Sequence, residues 1–317
     1  MQPPDESQPP APGSEAEDEA SEQHRRIAAL REKSEELRVR ADETWKRVEA
    51  SRSSNPGVDT AFRVYERDRE RLGPLLSAAV AFRLFLFFVP YVAFFVILAG
   101  LFSVDRDDLA AAGLAGVTAQ TITDVSTQPL WSRIVTLLLV AWALLLASRG
   151  MAKALRLIYA AAWELGRPVY HDTSKAALVF LGLTTAATTA TGLARQAREG
   201  ADAAGWVVTV LVVFAVYLAT WLVACVLLPH AEGATWKAML PGAVLFALGA
   251  QVFHLVVVIW LAPRVDNATA RYGALGIAIL LLGGVYLVGR LIVAAAFLNA
   301  TMWGRRHGRE AVAPTKR

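Results

Sequence analysis

Six long apolar stretches occupy the chain from residue 75 onward. The first, 75–102, reads LLSAAVAFRLFLFFVPYVAFFVILAGLF and is too apolar for a water-exposed surface. About 20 such residues cross the hydrocarbon core of a bilayer, and a backbone in lipid must satisfy its hydrogen bonds within a helix. The sequence therefore predicts an all-α, polytopic membrane bundle over 75–303, with spans at 75–102, 129–147, 176–193, 206–228, 240–262 and 274–298.

The chain before residue 54 has a different pattern. Residues 1–20 are acidic and rich in proline, which predicts a disordered tail. Residues 21–53 carry a heptad seam in which half the positions are small or polar, so the segment is at most a weak coiled coil. We consider two interpretations, a solvated marginal helix and a homo-oligomer formed through 21–53. The seam residues are Ile27, Leu30, Ser34, Leu37, Ala41, Thr44 and Val48.

Two shorter segments are amphipathic. Asn55-Pro56-Gly57 ends the N-terminal helix, and 54–74 then predicts an elbow that lies on the membrane surface. Its arginines favour anionic lipid headgroups as partner over nucleic acid, because no folded basic domain surrounds them. After the second span, Gly150 to Leu165 also predicts a short interfacial helix. The elbow arginines are Arg63, Arg67 and Arg71.

Composition and the absence of known catalytic motifs limit the classes of function that the chain can have. The chain is 55% hydrophobic and 19% charged, which excludes an ordinary soluble domain, and its net charge is +4. The acidic N-terminus predicts no cleavable signal peptide, so the first span is expected to direct insertion. No histidine or cysteine has metal-ligand spacing, and no phosphate loop or GxSxG motif occurs. We therefore expect no catalytic residue, metal or cofactor, and a protein that is not an enzyme.

Basic residues between the spans predict the orientation. Fifteen lie on one side of the predicted bundle and six on the other. The more basic side faces the cytoplasm in such proteins. Both termini are therefore expected in the cytoplasm, and 304–317 is expected to form a basic cytoplasmic tail.

Arginines within the apolar stretches are the candidate site. Arg83 and Arg290 each lie about 12 Å from the predicted cytoplasmic end of a span, and the spans contain no acidic residue. Buried guanidiniums without carboxylates need an anion or water nearby. We hypothesise that both, with Arg149 and Arg156, line a cytoplasm-facing cavity for an anionic lipid. The alternative is that each arginine extends separately to the headgroups.

Other residues in the spans predict local geometry. Pro90 removes a backbone donor and can kink the first span. Gly283, Gly284 and Gly289 are expected to allow close helix packing in the last span.

Several stretches in the right order resemble the YihY/virulence factor BrkB family. They are AAVAFRLFLFFVPYVAFFVILAGLF, SRGMAKALRLIYAAAWE, LPHAEGATWKAMLPGAVLFAL and YGALGIAILLLGGVYLVGRLIVAAAFLNA. The resemblance implies a multi-pass protein of the bacterial inner membrane but supplies no mechanism. An older ribonuclease label for such proteins finds no support in these residues. Many relatives have a glutamate where this chain has Phe297, so a role built on that glutamate does not carry over.

Two functions of different classes follow. The first is a carrier that binds or moves an anionic lipid or similar amphiphile through the arginine-lined cavity. The second is a structural scaffold that recruits a partner through the N-terminal helix. No inverted repeat is legible in the sequence, which weighs against the carrier.

Overall fold

The structure is a computed structural model that describes residues 14–101, 129–166, 173–198, 202–257 and 274–307. These residues form eight α-helices and one 3-10 turn, with no strand among them, which confirms the all-α fold class. The chain divides into two compact units, Met1–Phe62 and Arg63–Arg317. The helices are α1 Ser14–Ala50, α2 Pro56–Glu70, α3 Gly73–Leu101, α4 Leu130–Ala162, α5 Thr173–Arg198, α6 Ala203–Leu227, α7 Trp236–Val256 and α8 Ala274–Arg306.

The N-terminal unit is built around α1. This helix begins at Ser14, earlier than the sequence predicted, while the first 13 residues of the predicted tail lie outside the described residues. Near its end the Trp45 ring lies 5.0 Å from the Phe62 ring, and Arg52 Nε donates to Asp59 Oδ1 at 3.0 Å. These contacts attach the C-terminal end of α1 to the first part of α2.

The second unit contains six helices, α3 to α8, that are long and apolar enough to span a membrane. This confirms the predicted six-span bundle. The ends differ from the predicted spans by a few residues in α3, α5 and α6. Residues 258–262 of the predicted fifth span and 308–317 of the predicted basic tail lie outside the described residues.

Helices α4 and α8 are longer than predicted, with 33 residues each. At 1.5 Å per residue each measures about 50 Å, well beyond the hydrocarbon core of about 30 Å. Helix α4 runs through Gly150 without a break, so the predicted interfacial helix is its second half. The apolar face of that half is buried in protein, with Met151 fully covered and Leu155 nearly so.

The main core lies at one end of the bundle. It joins the ends of α4, α6 and α8 to the start of α7, which an antiparallel succession of helices places on the same side. Trp163 and Trp303 contact each other there, with ring centroids 5.6 Å apart. Away from this end, side chains such as Leu139 and Trp142 of α4 are exposed, as lipid-facing residues are expected to be. The largest fully buried core side chains are Tyr159, Phe297, Met151, Ile158, Met239, Val80 and Val293.

The glycines of α8 differ in what surrounds them. A Cβ at Gly289 would lie 2.7 Å from the Ser77 carbonyl oxygen of α3, and one at Gly284 would lie 3.3 Å from Phe253 of α7. At Gly283 a Cβ would meet no described atom within 4 Å. Gly284 and Gly289 thus lie where another helix approaches closely, whereas Gly283 faces away from its described neighbours. The packing role stays a prediction. Pro90 lies inside α3, which continues on both sides of it.

We expect Gly289→Ala to lower the free energy of unfolding by about 1–3 kcal/mol, because two backbones would have to separate. Gly283→Ala is the matched control and should change it by about 0.5 kcal/mol or less, or raise it slightly. Denaturant unfolding of both variants in detergent measures this difference. Equal stabilities would contradict the close α3–α8 contact.

Candidate functional site

A carboxylate from outside the spans pairs with the arginine of the last span. Arg290 Nη2 donates to Asp68 Oδ2 at 2.9 Å, and its Nη1 donates to Asp68 Oδ1 and to Ser77 Oγ, both at 3.3 Å. The Asp68 side chain is 8% exposed and that of Arg290 is 32% exposed. Two parallel N–H···O contacts are the geometry in which a guanidinium binds a carboxylate most strongly.

The turn between α2 and α3 brings Asp68 to this position. Leu72 adopts φ 55°, the left-handed conformation, and Gly73 then starts α3. A Cβ at Gly73 would collide with the Asp68 carboxylate, so only glycine leaves room for it. Gly289 acts in the same way on the other side, because it lets α8 approach Ser77.

The prediction that Arg290 lacks an acidic partner is therefore wrong. It considered only carboxylates within the spans, whereas Asp68 comes from the elbow before the first span. The physical premise, that a buried guanidinium needs a negative group, holds for this residue. Its partner is a side chain of the same chain, so Arg290 is not an unpaired cation of a shared cavity.

Two elbow arginines also differ from the prediction. Arg67 Nη2 and Arg71 Nη2 lie 2.9 Å and 3.1 Å from Glu164 Oε1, just after α4. Glu164 has φ 55°, so the chain reverses there and presents its carboxylate to α2. Arg67 and Arg71 are thus bound to protein where the sequence predicted lipid headgroups. The second half of α2 is held by ion pairs at both Glu164 and Arg290.

Arg83 has different neighbours. Its side chain is exposed and lies across Gly150 of α4, where a Cβ would be 3.1 Å from Nη1. Next to Gly150, Arg149 donates from Nη2 to Ser174 Oγ at the start of α5, at 2.9 Å. Lys153 is exposed one turn further along α4. The structure therefore places Arg83 against α4 at Gly150, in the part of that helix that also carries Arg149 and Lys153. We name Arg83, Arg149 and Lys153 the α3–α4 basic surface.

Arg156 and Arg290 have contacts that differ from those of Arg83. Arg156 is half-buried on α4 and has an interaction of its own, and Arg290 is bound to Asp68 and Ser77. Of the four arginines assigned to one site, Arg83 lies against α4 at Gly150, Arg149 follows next to Gly150 in α4, and the other two have separate contacts.

A buried neutral cluster escaped the sequence analysis. Tyr159 Oη lies 2.9 Å from Cys225 Sγ, and the Gly242 N–H donates to Asn299 Oδ1 at 2.6 Å. Asn299 Nδ2 faces the sulfur of Met239 at 3.9 Å. These groups join α4, α6, α7 and α8 without any charge, so the cluster holds helices together. Its sequence signal was Asn299, an amide at the end of the last apolar stretch.

In the ranges that the structure covers, no three His, Cys, Asp or Glu residues lie close enough together to bind a metal ion. The cluster around Cys225 offers one thiol and no second anionic ligand. The expected absence of a metal stays a prediction.

Comparison with known proteins identifies a family. The family described as Virulence factor BrkB matches residues 64–317, which leaves out α1 and the first part of α2. No curated protein and no solved structure is significantly similar to this chain.

Breaking the Asp68–Arg290 pair should destabilise the fold. We expect Asp68→Leu or Arg290→Leu alone to cost roughly 2–3 kcal/mol, below the value for fully buried pairs because Arg290 is partly exposed. The double variant should recover part of the loss, since neither charge is then left alone. Unfolding free energies of the four proteins in detergent give the coupling.

Glu70→Gln is the control for the lost negative charge, because Glu70 lies in the same helix and is exposed. It should leave stability within about 0.5 kcal/mol. A double variant as unstable as the sum of the single ones would contradict a direct pair.

Proposed function

Because the chain belongs to the virulence factor BrkB family and has six helices that span a membrane, we propose that this integral membrane protein binds the anionic headgroup of a lipid, or of a similar amphiphile, at the α3–α4 basic surface. The observation that carries the proposal is Arg83, a guanidinium within a membrane-spanning helix that faces outward.

The surroundings of Arg83 support an anion as its partner. Its neighbours Phe82 and Leu86 are exposed, so this part of α3 faces lipid. Among the described residues no carboxylate pairs with Arg83, and the part of α4 that it contacts carries the positive charges of Arg149 and Lys153. A guanidinium in a medium of low dielectric constant requires a negative or polar partner, and its planar donors match a phosphate.

The lack of a side chain at Gly150 supports the same proposal, because it leaves room for the Arg83 side chain. A larger residue there would occupy the position in which the Arg83 guanidinium lies, 3.1 Å from a Cβ. With glycine the guanidinium rests against α4 and keeps its outer donors available for a ligand. Arg290 is not a ligand in this proposal, because its donors are used by Asp68 and Ser77.

We place this surface in the cytoplasmic half of the bacterial inner membrane, with both termini in the cytoplasm. The excess of basic residues on that side supports this orientation. Binding of a headgroup at Arg83 would be the first step of a carrier that moves the lipid. The alternative is a structural scaffold that recruits a partner through the N-terminal helix.

Arg83→Gln should reduce retention of anionic lipid about tenfold, since a charge-assisted hydrogen bond to the headgroup is lost. The measurement is native mass spectrometry of protein with phosphatidylglycerol and phosphatidylcholine added in turn. Arg306→Gln, which removes an exposed charge at the end of α8, is the control and should retain lipid normally.

Gly150→Leu tests the geometry with the charge intact, because the new side chain displaces the guanidinium. It should weaken phosphatidylglycerol retention in the same direction as Arg83→Gln. Gly182→Leu is the matched control, since no described atom lies within 4 Å of its Cβ position. Unchanged retention in both Arg83→Gln and Gly150→Leu would refute the proposed site.

Transfer between leaflets separates the carrier from the scaffold. Reconstituted wild-type protein should move a fluorescent anionic lipid faster than a zwitterionic one, and Arg83→Gln should remove the difference. Normal binding without any transfer would refute the carrier.

A further inference from the structure

Basic and acidic side chains lie mostly on different faces of the exposed part of α1. The heptad seam in the described side chains consists of Ser34, Leu37, Ala41, Thr44 and Val48. The positions on both sides of this seam, which we name the flanks, are basic except at Trp45. The flank residues are Arg31, Lys33, Arg38, Arg40 and Arg47, while the opposite face carries Glu32, Glu35, Glu36, Asp42, Glu43, Glu49 and one basic residue, Lys46. Lys46 is paired with Asp42 at 2.8 Å, and Arg47 lies 3.9 Å from Glu43.

The seam residues are exposed, and their side chains allow another helix to pack against them. Leu37 is 58% exposed and Val48 41% exposed. The polar seam residues bond to their own helix, since Ser34 Oγ donates to the Arg31 carbonyl and Thr44 Oγ1 to the Arg40 carbonyl, both at 2.7 Å. Their hydroxyls therefore need no partner across an interface.

Charge on the flanks argues against a second copy of the chain. In a parallel coiled coil, the flank residues that precede the seam on one helix face the flank residues that follow the seam on the other helix. In an antiparallel pair, residues of the same flank face each other. Both arrangements set Arg or Lys against Arg or Lys here, and like charges at these positions are destabilising.

A bilayer fits less well than a protein helix. The fully exposed segment 31–50 contains six basic and six acidic residues, so its net charge gives no attraction to an anionic surface. Only Leu37 and Val48 of its five seam residues are large and apolar, a small area for insertion among lipids. The charge pattern of this segment therefore suits a partner that contacts the basic flanks and not the acidic face.

We propose that α1 is a docking helix for an amphipathic partner helix whose own flanks are acidic. Glutamate or aspartate on both sides of the partner's seam would face the α1 flanks in either orientation. The attached end of α1, where Trp45 contacts Phe62, leaves the seam from Ser34 to Thr44 uncovered for this partner. This docking surface lies outside the matched family region and does not depend on lipid binding.

Two synthetic heptad peptides with the same apolar seam test the proposal, one with glutamate and one with lysine at every flank position. Full-length protein in nanodiscs, one copy each, should bind the glutamate peptide at least about tenfold more tightly, because several ion pairs add up. The preference should fall with added salt.

Arg38→Glu/Arg40→Glu should reverse the preference toward the lysine peptide. Glu35→Gln/Glu36→Gln changes the opposite face by the same number of residues and should keep the preference unchanged. Equal binding of both peptides, or a preference that ignores the Arg38 and Arg40 substitutions, would overturn the proposal.

A cysteine at Leu37 tests the other occupants, since the native Cys225 is buried. Rapid disulfide formation between copies in detergent would overturn the proposal in favour of a homo-oligomer. Shielding of a label at this position by phosphatidylglycerol nanodiscs alone would overturn it in favour of the bilayer. Peptide-dependent shielding supports it, whatever the outcome at Arg83.

Discussion

A guanidinium cannot remain uncompensated in a medium of low dielectric constant, and the membrane unit is arranged around that constraint at Arg290. Its countercharge, Asp68, precedes the first span, so satisfying it requires α2 to fold back against α3 and α8. The left-handed turn at Leu72 and the lack of a side chain at Gly73 make that reversal possible. Arg67 and Arg71 fix the same helix to the end of α4 through Glu164.

The end of the bundle that receives α2 is also its best-packed end. Extra helical turns of α4 and α8 continue there, and they bury Met151, Tyr159 and Phe297 almost completely. Hydrogen bonding within this core uses neutral groups, with Asn299 joined to the Gly242 amide of α7. Among the described residues, the charged groups next to this core include Asp68 and Glu164, and both are paired with arginines. A rigid platform of this kind can hold Arg83 at the lipid-facing surface without taking part in its contacts.

The six spans were predictable because length and apolarity are local properties of the sequence. Features that depend on rotation or on distant contacts were not. Gly283 and Gly289 look alike in the sequence, but six residues rotate a helix by about 600°, so they face different sides. The second half of α4 has an apolar face that suits a membrane surface and a protein core equally well, and only the structure shows that this face is buried in the core.

For the candidate site, too, local features were predictable from the sequence and distant contacts were not. The need of a membrane arginine for a partner was correctly inferred, and its identity was missed at Arg290 because Asp68 lies 222 residues earlier. For Arg83 the residue type and its place in the first span were readable from the sequence, and its position against Gly150 became visible only in the structure. The basic flanks of α1 were readable from the heptad positions once the helix was known to be exposed over 31–50.

The long separation between Asp68 and Arg290 bears on how the protein is made. During synthesis Asp68 is made 222 residues before Arg290, so their ion pair forms only after the last helix has been made. A chain that stops before α8 therefore lacks the cation that pairs with Asp68, and the second half of α2 keeps only its ion pairs with Glu164.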